Sequence, residues 1–186
     1  TGHAVIYKNV NENWEQIGDH IYASFSETIK ESGFSVNLSS NGNVIAVGSP
    51  SSSIVRIYQN VDDNWEQVGD HIYGEAILDG DSRWDGDNHS NGHEKAGYSV
   101  SLSADGSVLA IGSPFANFSS TLNASKVRIY QNVNGTWTQV GSDIFGENFN
   151  DQLGQSVSLS SDGSKVAFGA WKDDDNGEDS GQVRVY

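Results

Sequence analysis

The chain has 186 residues, a formal net charge of −15 from 25 acidic and 10 basic residues, 21 glycines, two prolines, five tryptophans, and neither cysteine nor methionine. Such an acidic surface repels phosphate backbones instead of releasing their counterions, which argues against nucleic acid and anionic membrane as partners; the lack of cysteine excludes disulfides and thiol chemistry. Short apolar runs separated by Gly, Asn, Asp and Ser, none near the ~20 residues of a membrane span, are the profile of an all-β protein rich in tight turns.

Taken in order, the chain alternates two phrases. It opens in a third strand, Gly2 to Val10, followed by a fourth, within VIYKNVNENWEQIGDHIY at residues 5–22. GFSVNLSSNGNVIAVGSP at 33–50 then supplies a first and second strand, and VRIYQNVDDNWEQVGDHIY at 55–73 another third and fourth. The next copy, GYSVSLSADGSVLAIGSP at 97–114 and VRIYQNVNGTWTQVGSDIF at 127–145, reads most clearly. Its first strand is Gly97 to Ser103, with Tyr98, Val100 and Leu102 alternating with serines; its second, Val108 to Gly112, is apolar on both faces. Its third is Lys126 to Val133 and its fourth Thr136 to Gly141. GQSVSLSSDGSKVAFGAW at 154–171 and QVRVY at 182–186 begin a further copy that reaches its third strand at Tyr186.

Tyr7, Tyr58, Tyr130 and Tyr186 mark the period, spaced by 51, 72 and 56 residues. A repeat of about fifty residues indicates a propeller or solenoid, and four-stranded antiparallel units joined by turns such as SADG and NVNG indicate propeller blades. The polar fourth strand, Trp65 to Asp70 in one copy, suits an outer edge. The expected organisation is a partial blade at 1–23, blades at about 33–74 and 96–146, and a partial blade at about 153–186. A terminal blade face that is apolar by design implies either a longer repeat chain or several copies associating through blade faces.

The repeat resembles the FG-GAP repeat, the blade of integrin-α-type β-propellers, and more closely the tandem repeats of surface and secreted proteins of marine bacteria and algae. The family's Phe-Gly corresponds to Leu153-Gly154, with Gly33 and Gly97 in the other copies. Its Gly-Ala-Pro corresponds to Gly48-Ser49-Pro50, Gly112-Ser113-Pro114 and Gly169-Ala170. The resemblance covers practically the whole chain. It implies an extracellular or cell-surface β-propeller segment that serves adhesion or builds a surface or secreted assembly, without catalysis. Many such blades carry an Asp-x-Asp-x-Asp-Gly calcium loop between strands one and two. Here SSNGN, SADGS and SSDGS stand in its place, and a lone Asp105 or Asp162 cannot supply the six to eight oxygens calcium takes.

Because successive strands reverse, the turns one-to-two and three-to-four lie on one face of the blade and the remaining connections on the other. The variety is all on that second face, where binding is usually placed on a rigid scaffold. Two of its loops are dense in acids: Asp79, Asp81, Asp85, Asp87 and Glu94 in one, Asp173, Asp174, Asp175, Glu178 and Asp179 in the other. They read either as calcium sites, with Asp79, Asp81, Asp85, Asp87, Asp173, Asp175 and Asp179 as ligands, or as solvated acidic loops. His89 and His93 have a His-x3-His spacing but no helix to align them.

Trp14, Trp65 and Trp137 recur at one blade position and are packing residues. Trp84 and Trp171 do not recur; each stands in an acidic loop, where it either stacks on a glycan or anchors a protein partner, or covers its own loop. Sequons at Asn88, Asn117, Asn123 and Asn134 are candidate glycosylation sites, with Asn117 and Asn123 the better placed, whereas Asn37 lies within a first strand. No Gly-x-Ser-x-Gly and no phosphate loop occurs. A polysaccharide hydrolase using paired loop carboxylates would need an apolar wall to raise one pKa, and none is evident.

Overall fold

A computed structural model describes residues 2–22, 31–74, 94–115, 125–148 and 151–186. At the front, β1 (His3–Ala4) pairs with β4 (Ile21–Tyr22), and β2 (Tyr7–Val10) with β3 (Asn13–Gln16). The next sheet runs β5 (Ser35–Leu38), β6 (Val44–Ser49), β7 (Ile54–Val61), β8 (Asn64–Gln67), with β9 (Ile72–Tyr73) returning onto the start of β7. Then comes a four-stranded meander of β10 (Ser99–Leu102), β11 (Val108–Ser113), β12 (Lys126–Val133) and β13 (Thr136–Phe145). The last sheet is β14 (Leu153–Leu159), β15 (Val166–Ala170) and β16 (Gln182–Val185). Every pairing is antiparallel, and the architecture is that of β-propeller blades.

Two turn designs set the register. In the hairpins between third and fourth strands both central residues have positive φ: Asn11 and Glu12, Asp62 and Asp63, Asn134 and Gly135. This is the type I′ geometry that matches strand twist. Asn9, Asn60 and Asn132 stabilise it by accepting the N–H of Glu12, Asp63 and Gly135 at 2.8–3.0 Å. In the turns between first and second strands the side chain of Asn41, Asp105 or Asp162 accepts both a serine hydroxyl and a backbone N–H two residues on.

The fourth strand differs from its sequence reading. The Trp65 to Asp70 strand breaks after Gln67, where Gly69 takes φ +72, and resumes as β9. In the following blade β13 continues through Gly141 to Phe145, with a register shift opposite Val127 and Ile129. The glycine that looks like a strand end is a bulge that lets the strand pair twice with its neighbour.

The repeated phrase encodes the seam between blades. Ser35 donates its hydroxyl to the carbonyl of Gly97 and Ser99 to that of Gly154, each at 2.7 Å. A Cβ on Gly48 or Gly112 would fall 2.1 Å from those same carbonyl oxygens, so no side chain fits there. Asn37 Oδ1 accepts the N–H of Leu102, and Ser101 Oγ that of Leu159, one blade further on. Asn37 is thus committed to the seam.

The apolar core lies in these seams. Val55, Ile57 and Ile72 of one blade pack against Leu109, Ile111 and Tyr130 of the next. The same positions recur as Ala4, Ile6 and Ile21 against Ile45, Val47 and Tyr58. They recur again as Val127, Ile129 and Ile144 against Val166 and Phe168. Full burial of each such side chain contributes about 1.5–3 kcal/mol. In the last blade the positions of Val55 and Ile57, both 0% exposed, are held by Val183 and Val185, which are 73% and 66% exposed.

Candidate functional site

The links entering each blade and the second-to-third-strand loops meet on one face, as strand reversal requires. Glu94, in the link before β10, reaches the start of β12, and the backbone of Lys172, beyond β15, meets that of Asp151 in the link before β14. Two charged clusters occupy this face at equivalent places in successive blades.

The first is tightly paired among the described residues. Glu94 is buried; it accepts a two-pronged bond from Arg128, at 2.6 and 3.1 Å, and an ion pair from Lys126 at 2.7 Å. Asp143 completes the square, 3.1 Å from Lys126 Nζ and 3.2 Å from Arg128 Nε, with a further bond from Gln139. Burial pushes the Asp143 carboxyl up; the bonds from Gln139 and Lys126 and the charges of Arg128 and Lys126 outweigh this and leave it below its ordinary value. Two carboxylates meet two cations, the condition under which buried ions are tolerated.

The second cluster has the same frame with different charges. Asp151 stands where the preceding blade has Glu94, and Arg184 where it has Arg128, but Gln182 replaces Lys126. Arg184 binds Gln182 and lies 2.9 Å from Glu147. Asp151 accepts the N–H of Asn148 at 2.7 Å. Beside it is Asp173, fully buried at 0% exposure, whose Oδ1 accepts the N–H of Asp175 at 3.2 Å and whose Oδ2 has no partner. The loop is closed behind Asp173 by bonds from Gly181 and Ser180 to its carbonyl. Burial raises the Asp151 carboxyl, the Asn148 bond and the Arg184 charge counter it, and the nearby charges of Asp173 and Asp175 raise it further.

Asp175 and Asp179 are exposed, with Asp175 Oδ1 3.5 Å from Asn148 Nδ2. Among the described residues no three acidic or histidine side chains stand together at metal-ligand geometry. Asp79, Asp81, Asp85, Asp87, Trp84, Asn88, His89, His93, Asn117 and Asn123 lie outside the described residues. Asn134 is exposed at the tip of its hairpin. Asp105 and Asp162 spend their carboxylates on their own turns; bonds from Ser103 and Ser107, and from Ser160 and Ser164, hold both well below the usual carboxylate range.

Trp171 is 48% exposed, its indole N–H donated to Gln152 at 2.7 Å and the Lys172 ammonium 5.0 Å from its ring centre. One edge is therefore fixed and a cation lies over the ring. A cleft of about 330 Å³ between blades is lined by Gly69 to Tyr73, Tyr130, Thr136 and Trp137, with Asp70 as its one carboxylate. Reading for acid density found Asp173 but missed Asp151, Glu94's partners and Asp143. The signal was available in register: an acid three residues before the Gly-x-Ser-Val at Gly97 and at Gly154, and an arginine in each Val-Arg-Ile/Val-Tyr.

Fold and seam together define a segment of a β-propeller. Residues 146–186 match the family model of the FG-GAP repeat, and the phrases of this segment recur in the earlier blades. No curated protein matches the chain. Among solved structures, a 6-phosphogluconolactonase candidate from Bacteroides uniformis is similar at a TM-score of 0.58 and 15% identity, over 99% of this chain and 43% of that one. A protein from Lactobacillus plantarum is similar at 0.53 and 15% identity, over 88% and 40%. A protein of unknown function from Desulfotomaculum acetoxidans is similar at 0.50 and 14% identity, over 89% and 44%. The chain spans less than half the length of each, and at these identities the likeness concerns the fold alone.

Proposed function

We propose that this chain is a non-catalytic propeller segment of the cell surface or extracellular space, serving adhesion or the construction of a surface or secreted assembly. Its open blade face docks onto a further blade of the same repeat, supplied by another copy or by further repeats of the chain. One observation carries the docking: the face that Leu109 and Ile111 cover on Val55 and Ile57 recurs uncovered at Val183 and Val185. The occupant that fits is a blade presenting an apolar second strand at the positions of Leu109 and Ile111, because that occupant already fills the same face within the chain. Gly141 supports the same reading: Gly18 and Gly69 are each capped by the tryptophan of the next blade, whereas nothing lies within 4 Å of the Cβ position of Gly141.

The acidic variable face is then free for protein or glycan, and its charge favours cations and basic partners. Extracellular placement is supported by the FG-GAP repeat, and no helix among the described residues is long and apolar enough to cross a membrane. A carbohydrate-binding reading keeps Trp171, half-exposed beside Lys172. A glycan array with the chain and with Trp171→Ala separates the two: signals lost in the variant support glycan binding, and an empty array leaves adhesion through protein contacts. Light scattering on the 186-residue chain tests the docking: association at micromolar concentration supports it, and a folded monomer contradicts it.

A further inference from the structure

Gly-Asp-His-Ile-Tyr stands twice in the chain, at residues 18–22 and 69–73, and its glycine and isoleucine serve the blade seams. The second copy lines the cleft of about 330 Å³, at the break between β8 and β9. The exposed Tyr73 shares a hydrogen bond with His71 Nδ1 at 3.2 Å, which orients its ring, and the half-buried Tyr130 and Trp137 line the cleft from the next blade. Among these rings stand the Asp70 carboxylate and the Thr136 hydroxyl, both exposed and neither with a side-chain partner among the described residues. The indole N–H of Trp137 is buried without a partner, whereas that of Trp65 in the preceding seam is tied to Ile17. In that preceding seam His20 stacks on His3, 5.0 Å between ring centres; Ile54 holds the place of His3 in the next blade, and the imidazole of His71 forms part of the cleft wall instead.

We propose that this cleft binds a neutral sugar, taken as the terminal unit of a glycan. Its volume is at the small end of ligand sites, the size for an end unit and not for the run of a chain. A pyranose has apolar C–H faces and a rim of hydroxyls. Tyr73, Tyr130 and Trp137 supply rings for the faces. Adjacent hydroxyls donate to the two oxygens of Asp70 in charge-assisted bonds, and Thr136, both donor and acceptor, serves a further one. No lysine or arginine lines the cleft, and Asp70 in a chain of net charge −15 repels acidic sugars. An organic cation would need only the rings and the carboxylate; the directional groups of Thr136 and His71 favour a hydroxylated ligand. The cleft shares no residue with Trp171 or with the Val183 face, so the inference rests neither on glycan binding at Trp171 nor on blade docking.

The test is an array of neutral glycans probed with the 186-residue chain, followed by titration of the strongest binder into isotope-labelled protein while the indole N–H resonances are read. Trp137→Phe assigns the resonance of Trp137. A neutral terminal sugar is expected to bind and to shift that resonance. Asp70→Asn and Tyr73→Ala, both at exposed positions, are each expected to weaken binding about tenfold, the scale of one charge-assisted hydrogen bond or one packed ring, with the unfolding midpoint unchanged. Trp171→Ala is expected to bind as the parent does, and choline chloride, a small organic cation, to leave the Trp137 resonance in place. Binding unchanged in both Asp70→Asn and Tyr73→Ala, binding lost in Trp171→Ala, or a choline shift that Asp70→Asn removes overturns the proposal. So does an empty array, which leaves adhesion through protein contacts standing.

Discussion

The indole N–H of Trp65 donates to the backbone carbonyl of Ile17 at 3.2 Å, so the edge hairpin of one blade is tied to the turn that ends the blade before it. Gly18 makes the contact possible, since a Cβ there would fall 2.7 Å from the indole Cδ1. Trp137 packs over Gly69 in the same place, 3.3 Å from where a Cβ would stand, but its buried indole N–H makes no hydrogen bond, whereas Trp14 is 68% exposed. Identical residues at identical blade positions therefore differ in energy only by what lies beside them. Trp65→Ala is expected to cost about 2–3 kcal/mol of stability, less than a fully buried tryptophan, and Trp14→Ala no more than about 0.5 kcal/mol. Urea unfolding of the two variants checks this; equal losses would contradict the seam.

Glycines at the seam and glycines at turn tips should respond differently to a methyl group. Gly112→Ala places a Cβ 2.1 Å from the Gly154 carbonyl oxygen, both of them backbone-bound, so two blades must separate. It is expected to abolish cooperative unfolding or cost at least about 3 kcal/mol, the upper range of overpacking. Gly135→Ala meets nothing within 4 Å and bears only the strain of φ +86, about 1–2 kcal/mol. A Gly112→Ala protein as stable as Gly135→Ala would contradict the close approach.

The two charged clusters should answer a lost carboxylate with opposite signs. Glu94→Gln removes the buried carboxylate that binds both Arg128 and Lys126 and is expected to destabilise by about 3–5 kcal/mol. Asp173→Asn removes a buried charge whose Oδ2 has no hydrogen-bond partner among the described residues and is expected to stabilise. Denaturant titrations of both read the two signs directly.

Acid should weaken the Glu94 cluster through Asp143. Its carboxyl titrates below the ordinary value of 3.8 in the fold, so it contributes stability that is full above 3.8 and lost as pH falls through the folded value. Asp143→Asn is expected to flatten the acid limb of stability against pH while leaving the slope above about pH 5 unchanged. An acid limb identical to that of the parent would contradict this reading.

The blades were legible because the chain writes them repeatedly: Tyr7, Tyr58, Tyr130 and Tyr186 fix the period, and the Asn-Val-Asn-Gly and Ser-Ala-Asp-Gly turns fix the hairpins. What the repetition was for was less legible. Gly48 and Gly112 read as the glycines of a family motif at the end of the second strand, and only the neighbouring blade's carbonyl shows that they are spacers. The fourth strand was misjudged at Gly141 because a bulge and a strand end carry the same residue. Asp173 stood out by acid density, but Asp151, one of two acids in the link GENFNDQL, gains meaning only from its register with Glu94.

The central claim is that the face of Val183 and Val185 is a blade seam awaiting a blade. Size-exclusion chromatography with light scattering on the 186-residue chain, alongside Val183→Asp/Val185→Asp, tests it most directly. The parent is expected to associate at micromolar concentration, and the double variant, which puts charge on the face without touching the interior seams, to remain folded with association lost. A parent chain that is a folded monomer at that concentration, or a double variant that associates equally, would contradict the account.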